Sequence, residues 1–96
     1  MANSQELIQT TLKARQAQIQ YLLDKLQEEA AEVIQAVSKI RRFGEHNHHP
    51  ERETTNLEEL NNELEDFCAI VNRLESLNYV NIHPGIVHDK AQLLCE

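Results

Sequence analysis

Five acidic residues lie in two short stretches at spacings that suit a metal-binding site. Glu28, Glu29 and Glu32 lie in "QEEAAEVIQ", and Glu63 and Asp66 lie in "NELED". Residues three apart on a helix are neighbours on its surface, and each stretch contains such a pair of carboxylates. The pairs are Glu29 with Glu32 and Glu63 with Asp66. Carboxylate oxygens without sulfur or imidazole suit Mg²⁺ better than Zn²⁺, and Mn²⁺ is expected to substitute.

Two apolar stripes predict that these pairs meet at a contact between two helices. In each stripe the residues follow alternating steps of three and four, the spacing of one buried helix face. The first stripe comprises Ile19, Leu22, Leu26, Glu29, Val33, Ala36 and Ile40, and the second comprises Leu60, Glu63, Phe67, Ile70, Leu74 and Leu77. A single glutamate interrupts each stripe. Carboxylates turned inward repel one another and are costly to dehydrate unless a cation neutralises them.

Helical angle ranks the acidic residues of the first stretch as ligands. Glu29 lies on the apolar stripe and Glu32 on its flank, while Glu28 points further towards solvent. We therefore expect the metal ligands to be Glu29, Glu32, Glu63 and Asp66. Acidic residues at positions i, i+1 and i+4 are also common on solvated helices, and one such group alone would favour that simpler interpretation. Two pairs that each enter an apolar stripe favour the metal site.

The first element that must position these residues is a long helix over residues 4–43. This segment contains neither Gly nor Pro, and it is dominated by Ala, Leu, Gln, Glu and Lys, which favour helix. Ser4 is the expected cap. If the helix is interrupted, the break is expected near Thr10 and Thr11.

A loop and a second helix follow. Gly44 is a natural helix end, and the polar segment 45–55 predicts a loop. Histidines at positions 46, 48 and 49 of this loop suggest zinc, but they lack the closed ligand set that structural zinc requires. Asn56 is the expected cap of a helix that runs to about Leu77.

The end of the chain predicts a third, short helix. Pro84 and Gly85 are expected to break regular structure, and a helix is expected from about His88 to Leu94. The predicted fold is therefore all-α, a helical hairpin plus a short C-terminal helix. We expect it to assemble into an oligomer of the four-helix-bundle type.

Composition favours one small domain, residues 1–96, that associates with itself. Hydrophobic residues make up 41% of the 96 residues, and two long helices in so short a chain cannot cover their own apolar faces. A homodimer or homotetramer is therefore expected. The net charge of −7 disfavours nucleic acid as a partner. The cysteines have no Cys-x-x-Cys partner and the sequence shows no signal peptide, which predicts a cytoplasmic protein. The sequence also contains no apolar run of about 20 residues, which predicts that the protein has no membrane span.

The acidic motif resembles that of a known enzyme superfamily. Glu28-Glu29-x-x-Glu32 followed by Glu63-x-x-Asp66 resembles the Glu-Glu-x-x-Glu … Glu-x-x-Asp signature of the MazG-like all-α nucleoside triphosphate pyrophosphohydrolases. The resemblance covers roughly residues 21–77. It includes "KIRRFG", which is similar to the end of the first motif helix in small single-domain members, including those typical of phages. If the protein is encoded by a phage, its expected location is the host cytoplasm.

The resemblance implies an activity and roles for residues. The reaction would be Mg²⁺-dependent hydrolysis of a nucleoside triphosphate, here a dNTP, to the monophosphate and pyrophosphate by attack of water on the α-phosphorus. The four metal ligands would be the residues that spacing selects. Glu28 or Glu29 would be the catalytic base, and spacing does not choose between them.

Basic residues are expected to bind the substrate phosphates. Lys39 and Arg73 each lie seven residues after a proposed ligand, and so on the same helix face. The further candidates are Arg41, Arg42 and Lys90. Each of them is equally compatible with an ordinary surface cation.

Two alternative functions remain open. One is phosphoribosyl-ATP pyrophosphohydrolase, although the tyrosine and histidine that usually follow the aspartate there are absent, since "FCAIV" follows Asp66. The chain also lacks Trp, which holds the base in the dCTP pyrophosphatases of the superfamily. The other alternative is a non-catalytic helical dimerisation or adaptor module that binds a basic partner through its acidic faces.

Overall fold

A single unbroken helix, α1 (Ser4–Phe43), is the longest element of the computed structural model, which describes residues 3–95. Asn3, not Ser4, caps it: the Asn3 side chain accepts from the Glu6 backbone N–H at 2.8 Å, and the Glu6 carboxylate accepts from the Asn3 N–H. This reciprocal pair satisfies two backbone donors at the helix start. The break expected near Thr10 and Thr11 does not occur, because both hydroxyls donate to carbonyls one turn earlier and the helix continues past them.

The second helix, α2 (Asn56–Ser76), is capped by the residue that precedes the expected cap. Thr55 is the cap, and its hydroxyl accepts from the Glu58 N–H at 3.1 Å. Asn56 is instead buried, and its side-chain amide donates to the Gly44 carbonyl at 2.9 Å. This hydrogen bond joins the end of α1 to the start of α2. Asn78 follows the helix in a left-handed conformation with φ of 57°.

The third helix, α3 (Pro84–Leu94), starts four residues earlier than expected. Pro84 was expected to interrupt regular structure, but it occupies the first turn of the helix. A proline is tolerated there because the backbone N–H groups of a first turn have no partner within the helix.

α1 and α2 form an antiparallel hairpin that buries the two predicted stripes against each other. At one end of the hairpin Asn56 contacts Gly44, and at the other the Arg15 guanidinium donates to the Leu77 carbonyl at 2.8 Å. The buried apolar residues of the described chain all lie on these stripes: Ile19, Leu22, Ala36 and Leu74. The predicted helical hairpin is therefore confirmed.

The protein is a thin layer rather than a sphere. Its extents are 60 × 38 × 15 Å, and its radius of gyration is 18.9 Å, whereas a compact chain of this length has a radius of about 12.5 Å. No Cα atom of α3 lies within 8 Å of a Cα atom of α1 or α2. Residues 3–95 form helices and connecting segments without any strand, and no helix among them is long and apolar enough to cross a membrane.

Candidate metal centre

The hairpin brings the four predicted ligands together from two helices. One carboxylate oxygen from each of Glu29, Glu32, Glu63 and Asp66 lies within 4.8 Å of all the others. Glu29 and Glu63 interrupt the two stripes and are therefore half-buried in the contact between α1 and α2. Glu32 and Asp66 are exposed on one flank of it. We call these four residues the carboxylate cluster.

Two atoms of the carboxylate cluster are buried without a partner. The Oε2 atoms of Glu29 and Glu63 are screened from solvent and accept no hydrogen bond in the structure. A buried carboxylate oxygen without a donor is costly, because folding removes its hydration and returns nothing. A bound cation would satisfy both oxygens.

The electrostatics of the cluster favour an added positive charge. A hydrogen bond shared with Glu32 raises the pKa of Glu63 to about 7, with further contributions from lost hydration and from the charges of Glu32, Asp66 and Glu29. Burial, followed by the charge of Glu32, raises the pKa of Glu29. Both carboxyl groups therefore hold protons more tightly than an isolated glutamate does, as expected when like charges crowd together.

The spacing of the oxygens fits a small divalent cation. Mg²⁺ binds oxygen at about 2.1 Å in an octahedron, so opposite ligands lie about 4.2 Å apart. One oxygen from each of the four carboxylates already lies within 4.8 Å of the others, close to this distance, and the Glu32 and Asp66 side chains are exposed on the flank of the contact. The carboxylate cluster therefore fits a bound Mg²⁺ or Mn²⁺ ion.

The second predicted catalytic residue, Glu28, lies outside the carboxylate cluster. Its carboxylate pairs with the Lys25 ammonium at 3.2 Å, and 60% of its side chain is exposed. The Lys25 ammonium also lies 5.9 Å from the centre of the Tyr21 ring. The structure therefore brings Glu29 into the cluster and leaves Glu28 on the surface beside it.

A cleft of about 200 Å³ adjoins the cluster and contains two cations. Glu32 and Glu63 line this cleft together with Gln35, Ala36, Lys39, Arg52 and Glu59. The Glu59 carboxylate accepts from Arg52 at 2.8 Å and pairs with the Lys39 ammonium at 3.6 Å. Only 15% of the Glu59 side chain is exposed, and the hydrogen bond from Arg52 is the largest cause that lowers its pKa.

Sequence reasoning identified Lys39 but missed Arg52 and Glu59. Glu59 lies four residues before Glu63, on the same face of α2, so helical spacing alone was a usable signal. Arg52 lies in the loop before α2. Its position depends on the path of the loop, and no local pattern indicates it.

The other basic residues expected to bind phosphate do not gather at the cleft. Arg42 lies over the Phe43 ring, 5.0 Å from its centre. Arg73 is exposed on α2 and donates to the Ser76 hydroxyl at 3.4 Å. Lys90 lies on α3, away from the hairpin.

The loop histidines engage in local contacts. His49 accepts from the Glu51 N–H through Nδ1 at 3.1 Å, and His46 lies 3.3 Å from the Glu45 carboxylate. Within residues 3–95 the carboxylate cluster is the group whose ligand atoms converge as a metal site requires. The resemblance to the MazG-like superfamily remains a prediction from the acidic motif. Comparisons of the chain with models of protein families, with curated proteins and with solved structures give no match.

Proposed function

We propose that this protein is a Mg²⁺-dependent nucleoside triphosphate pyrophosphohydrolase that acts on a dNTP. The observation that carries the proposal is the pair of buried oxygens without partners, Glu29 Oε2 and Glu63 Oε2, on two of the four carboxylates that converge within 4.8 Å. Stability alone would not favour this arrangement, because apolar side chains at both positions would complete the stripes without electrostatic cost. The acidic motif and the two basic side chains of the adjacent cleft, Lys39 and Arg52, favour a phosphate ester as the substrate.

The proposed reaction uses one water molecule and one triphosphate. The water oxygen forms a bond to the α-phosphorus, the bond from that phosphorus to the bridging oxygen breaks, and pyrophosphate leaves. Mg²⁺, when bound, would supply water of lowered pKa and neutralise the charge that develops on the leaving group. In the proposed mechanism Glu29 would accept the proton from water, and the raised pKa of its carboxyl group makes it a stronger base than an isolated glutamate. Glu28 is the alternative base beside it.

A substrate panel in labelled water tests the reaction. The protein is incubated with Mg²⁺ and each common NTP and dNTP in H₂¹⁸O. The products are then separated, and their masses are measured by mass spectrometry. We expect pyrophosphate and a nucleoside monophosphate that carries the ¹⁸O label, because water attacks the α-phosphorus. Label in the pyrophosphate, or no monophosphate from any nucleotide, would contradict the proposal. Phosphoribosyl-ATP, added to the panel, tests the alternative substrate.

Two glutamine substitutions on α2 provide the matched pair for this assay. Glu63→Gln keeps the shape of the side chain but removes one ligand charge, so we expect loss of hydrolysis. Glu65→Gln makes the same change at an exposed residue two positions away, whose carboxylate accepts from Asn61, and we expect unchanged hydrolysis. Equal activity of the two variants would show that the cluster is not the reacting site.

We also propose that two hairpins pair through a second apolar face. By helical angle this face lies about 90° round from the α1–α2 contact, on the side away from Glu32 and Asp66. It comprises Leu23, Ala30, Ile34, Val37, Leu57, Leu64 and Val71, with Leu60 at its edge, where it borders the α2 stripe. Ile34 is 66% exposed and Leu64 43% exposed. We call it the free apolar face, and a homodimer or a homotetramer would cover it.

The surface area supports this association. The chain exposes 7939 Å², whereas a compact monomer of its mass exposes about 5,700 Å². The excess of roughly 2,300 Å² matches the area that each subunit of an obligate dimer buries. A non-catalytic dimerisation or adaptor module would instead bind a basic partner through its acidic faces, and calorimetric titration of Glu29→Gln with Mg²⁺ or Mn²⁺ separates the two functions. If this substitution leaves binding of Mg²⁺ or Mn²⁺ unchanged, the adaptor function is favoured.

We place the proposed activity in the cytoplasm. Cys68 and Cys95 are both free and exposed, which suits a reducing compartment. A nucleotide pool is also the source of the proposed substrate. A reporter fusion observed in cells of the source organism tests the location.

A further inference from the structure

We propose that Lys39 and Arg52, held in place by Glu59, bind the terminal phosphates of the substrate. A nucleoside triphosphate would then lie with its phosphate tail towards the loop between α1 and α2 and its nucleoside towards the opposite end of the hairpin. This inference rests on the proposed function, because it takes the carboxylate cluster as the site of the α-phosphate. It assigns roles to Arg52 and Glu59, neither of which was selected from the sequence.

The first support is that one cleft contains both kinds of group. Glu32 and Glu63 of the carboxylate cluster line the same cleft as Lys39 and Arg52. Lys39 follows Glu32 by seven residues, which is about 10.5 Å along α1. The flexible lysine side chain spans part of this distance, and the phosphate tail spans the remainder. No other basic side chain lines the cleft among the residues that the structure describes.

The second support is the charge that a triphosphate must meet. The chain has a net charge of −7, and the carboxylate cluster repels any phosphate that is not covered by a cation. Lys39 and Arg52 together carry two positive charges against the single negative charge of Glu59. This part of the cleft is therefore locally cationic, and charge-assisted hydrogen bonds from guanidinium and ammonium groups are the usual contacts of terminal phosphates.

The third support is how the two cations are held. Glu59 contacts Arg52 through Oε1 and Lys39 through Oε2, so one carboxylate gathers a loop residue and a helix residue. The guanidinium of Arg52 uses Nη1 for this contact and has further N–H donors for a phosphate. Glu59 is a positioning residue in this arrangement, because it acts through Lys39 and Arg52.

Arg73 lies towards the other end of the site. It follows Asp66 by seven residues on α2, which runs antiparallel to α1, so Lys39 and Arg73 extend from the cluster in opposite directions. In the direction of Lys39, two basic side chains line one cleft together with Glu32 and Glu63 of the carboxylate cluster. The geometry therefore favours the loop end for the phosphate tail.

Inorganic tripolyphosphate tests the subsite without a nucleobase. Its magnesium complex is titrated into the wild-type protein and into Arg52→Ala, Lys39→Ala and Lys13→Ala by calorimetry in excess Mg²⁺. Lys13 is the matched control, because it is an exposed basic residue of α1 about 39 Å along the helix from Lys39. We expect about tenfold weaker binding or more for the first two variants, from the loss of a charged hydrogen bond, and unchanged binding for the control.

The variant Glu59→Gln distinguishes a role of Glu59 in positioning Lys39 and Arg52 from the direct effect of its charge on anion binding. Removal of one negative charge from the cleft would by itself strengthen the binding of an anion. Loss of the contacts that hold Lys39 and Arg52 would weaken it. We expect weaker tripolyphosphate binding by Glu59→Gln, and tighter binding would refute the positioning role of Glu59. The melting temperature of each variant confirms that it is folded at the temperature of the titration.

The outcomes distinguish this inference from the proposed function. If the wild-type protein hydrolyses nucleotides but Arg52→Ala and Lys39→Ala bind tripolyphosphate as it does, the subsite is wrong and the activity stands. A change in base preference in those variants, with tripolyphosphate binding intact, would indicate the reverse orientation of the substrate. If tripolyphosphate binds through these residues but no nucleotide is hydrolysed, the subsite stands and the activity is wrong. Failure of the wild-type protein to bind tripolyphosphate overturns the subsite.

Discussion

Glu29 and Glu63 each have a carboxylate oxygen that is buried without a partner, so the metal-free protein is expected to be destabilised when both are ionised. The pKa of Glu63 is about 7 in the folded state, above the value of an unfolded glutamate. The folded state therefore binds this proton more tightly than the unfolded state does. The stability that results is fully present below pH 4.5 and is lost as the pH rises through 7.

This linkage predicts that the metal-free protein melts at a lower temperature at pH 8 than at pH 5.5. Thermal unfolding in a chelator, followed by circular dichroism over this range, measures the effect. Glu63→Gln removes the titrating group, so we expect a flatter pH profile and a higher melting temperature at pH 8. Glu65→Gln is the control and should retain the wild-type dependence of the melting temperature on pH. A melting temperature that rises with pH in this window would contradict the prediction.

The same protons compete with a metal ion for the cluster. Because the ligands must be deprotonated to bind a cation, the affinity for Mn²⁺ or Mg²⁺ is expected to rise between pH 6 and pH 8. Calorimetric titration with Mn²⁺ at several pH values, in buffers of different ionisation enthalpy, measures both the affinity and the protons released. Proton release near pH 6.5 should be smaller in Glu63→Gln than in the wild-type protein. Binding that does not depend on pH would show that the ion lies elsewhere.

At the scale of elements, the junction between α1 and α2 is fixed by a side chain that sequence reasoning assigned to another role. Asn56 was expected to cap α2, but Thr55 does so, and the buried Asn56 amide donates to the Gly44 carbonyl. The Asn56 backbone N–H also donates to the Asn47 carbonyl at 2.8 Å. Asn56 thus fixes both ends of the loop that contains Arg52.

Asn56→Ala is expected to destabilise the protein by about 1 kcal/mol, because the hydrogen bond from the buried Asn56 amide to the Gly44 carbonyl is lost. Urea unfolding of the variant measures this change in the free energy of unfolding. Asn62→Ala on the exposed surface of the same helix is the control, with an expected change within about 0.5 kcal/mol. Similar values for the two variants would show that the contact at Gly44 does not stabilise the junction.

At the scale of the whole molecule, the hairpin is only one layer thick, and the free apolar face is left without a partner in the chain. Ile34 is 66% exposed there, although helical spacing places it beside the apolar stripe of α1. Burial of such a side chain contributes roughly 1.5–3 kcal/mol, and the eight residues of the face act together. Self-association is the simplest way to gain this energy.

If two hairpins pair as proposed, Ile34→Asp is expected to give a monomer, because a charge at the centre of an apolar contact has no partner. Light scattering after size-exclusion chromatography measures the mass of the wild-type protein and the variant. Ala17→Asp introduces the same charge on α1 at an exposed position about 100° round the helix from Ile34, and it should leave the mass unchanged. A wild-type protein of monomeric mass would contradict the proposed pairing.

Local sequence predicted the helices, the buried stripes and the identity of the acidic residues. The stripes of α1 and α2 follow the helical repeat, so their buried faces could be assigned from contiguous residues. The misplaced boundaries at Asn3, Thr55 and Pro84 are each explained by the chemistry of a helix start, where several residue types serve equally well. The choice among them depends on contacts such as that of Asn56 with Gly44, which sequence spacing does not contain.

The amino-acid sequence by itself determined that one carboxylate of each pair would interrupt an apolar stripe, because helical periodicity fixes which side chains share a face. Only the tertiary structure decided that the pairs meet within 4.8 Å, because their separation depends on the register of α2 against α1. It also decided that Glu59 gathers Lys39 and Arg52. Lys39 and Arg52 come from a helix and a loop, and only the folded path of the chain brings them to one carboxylate.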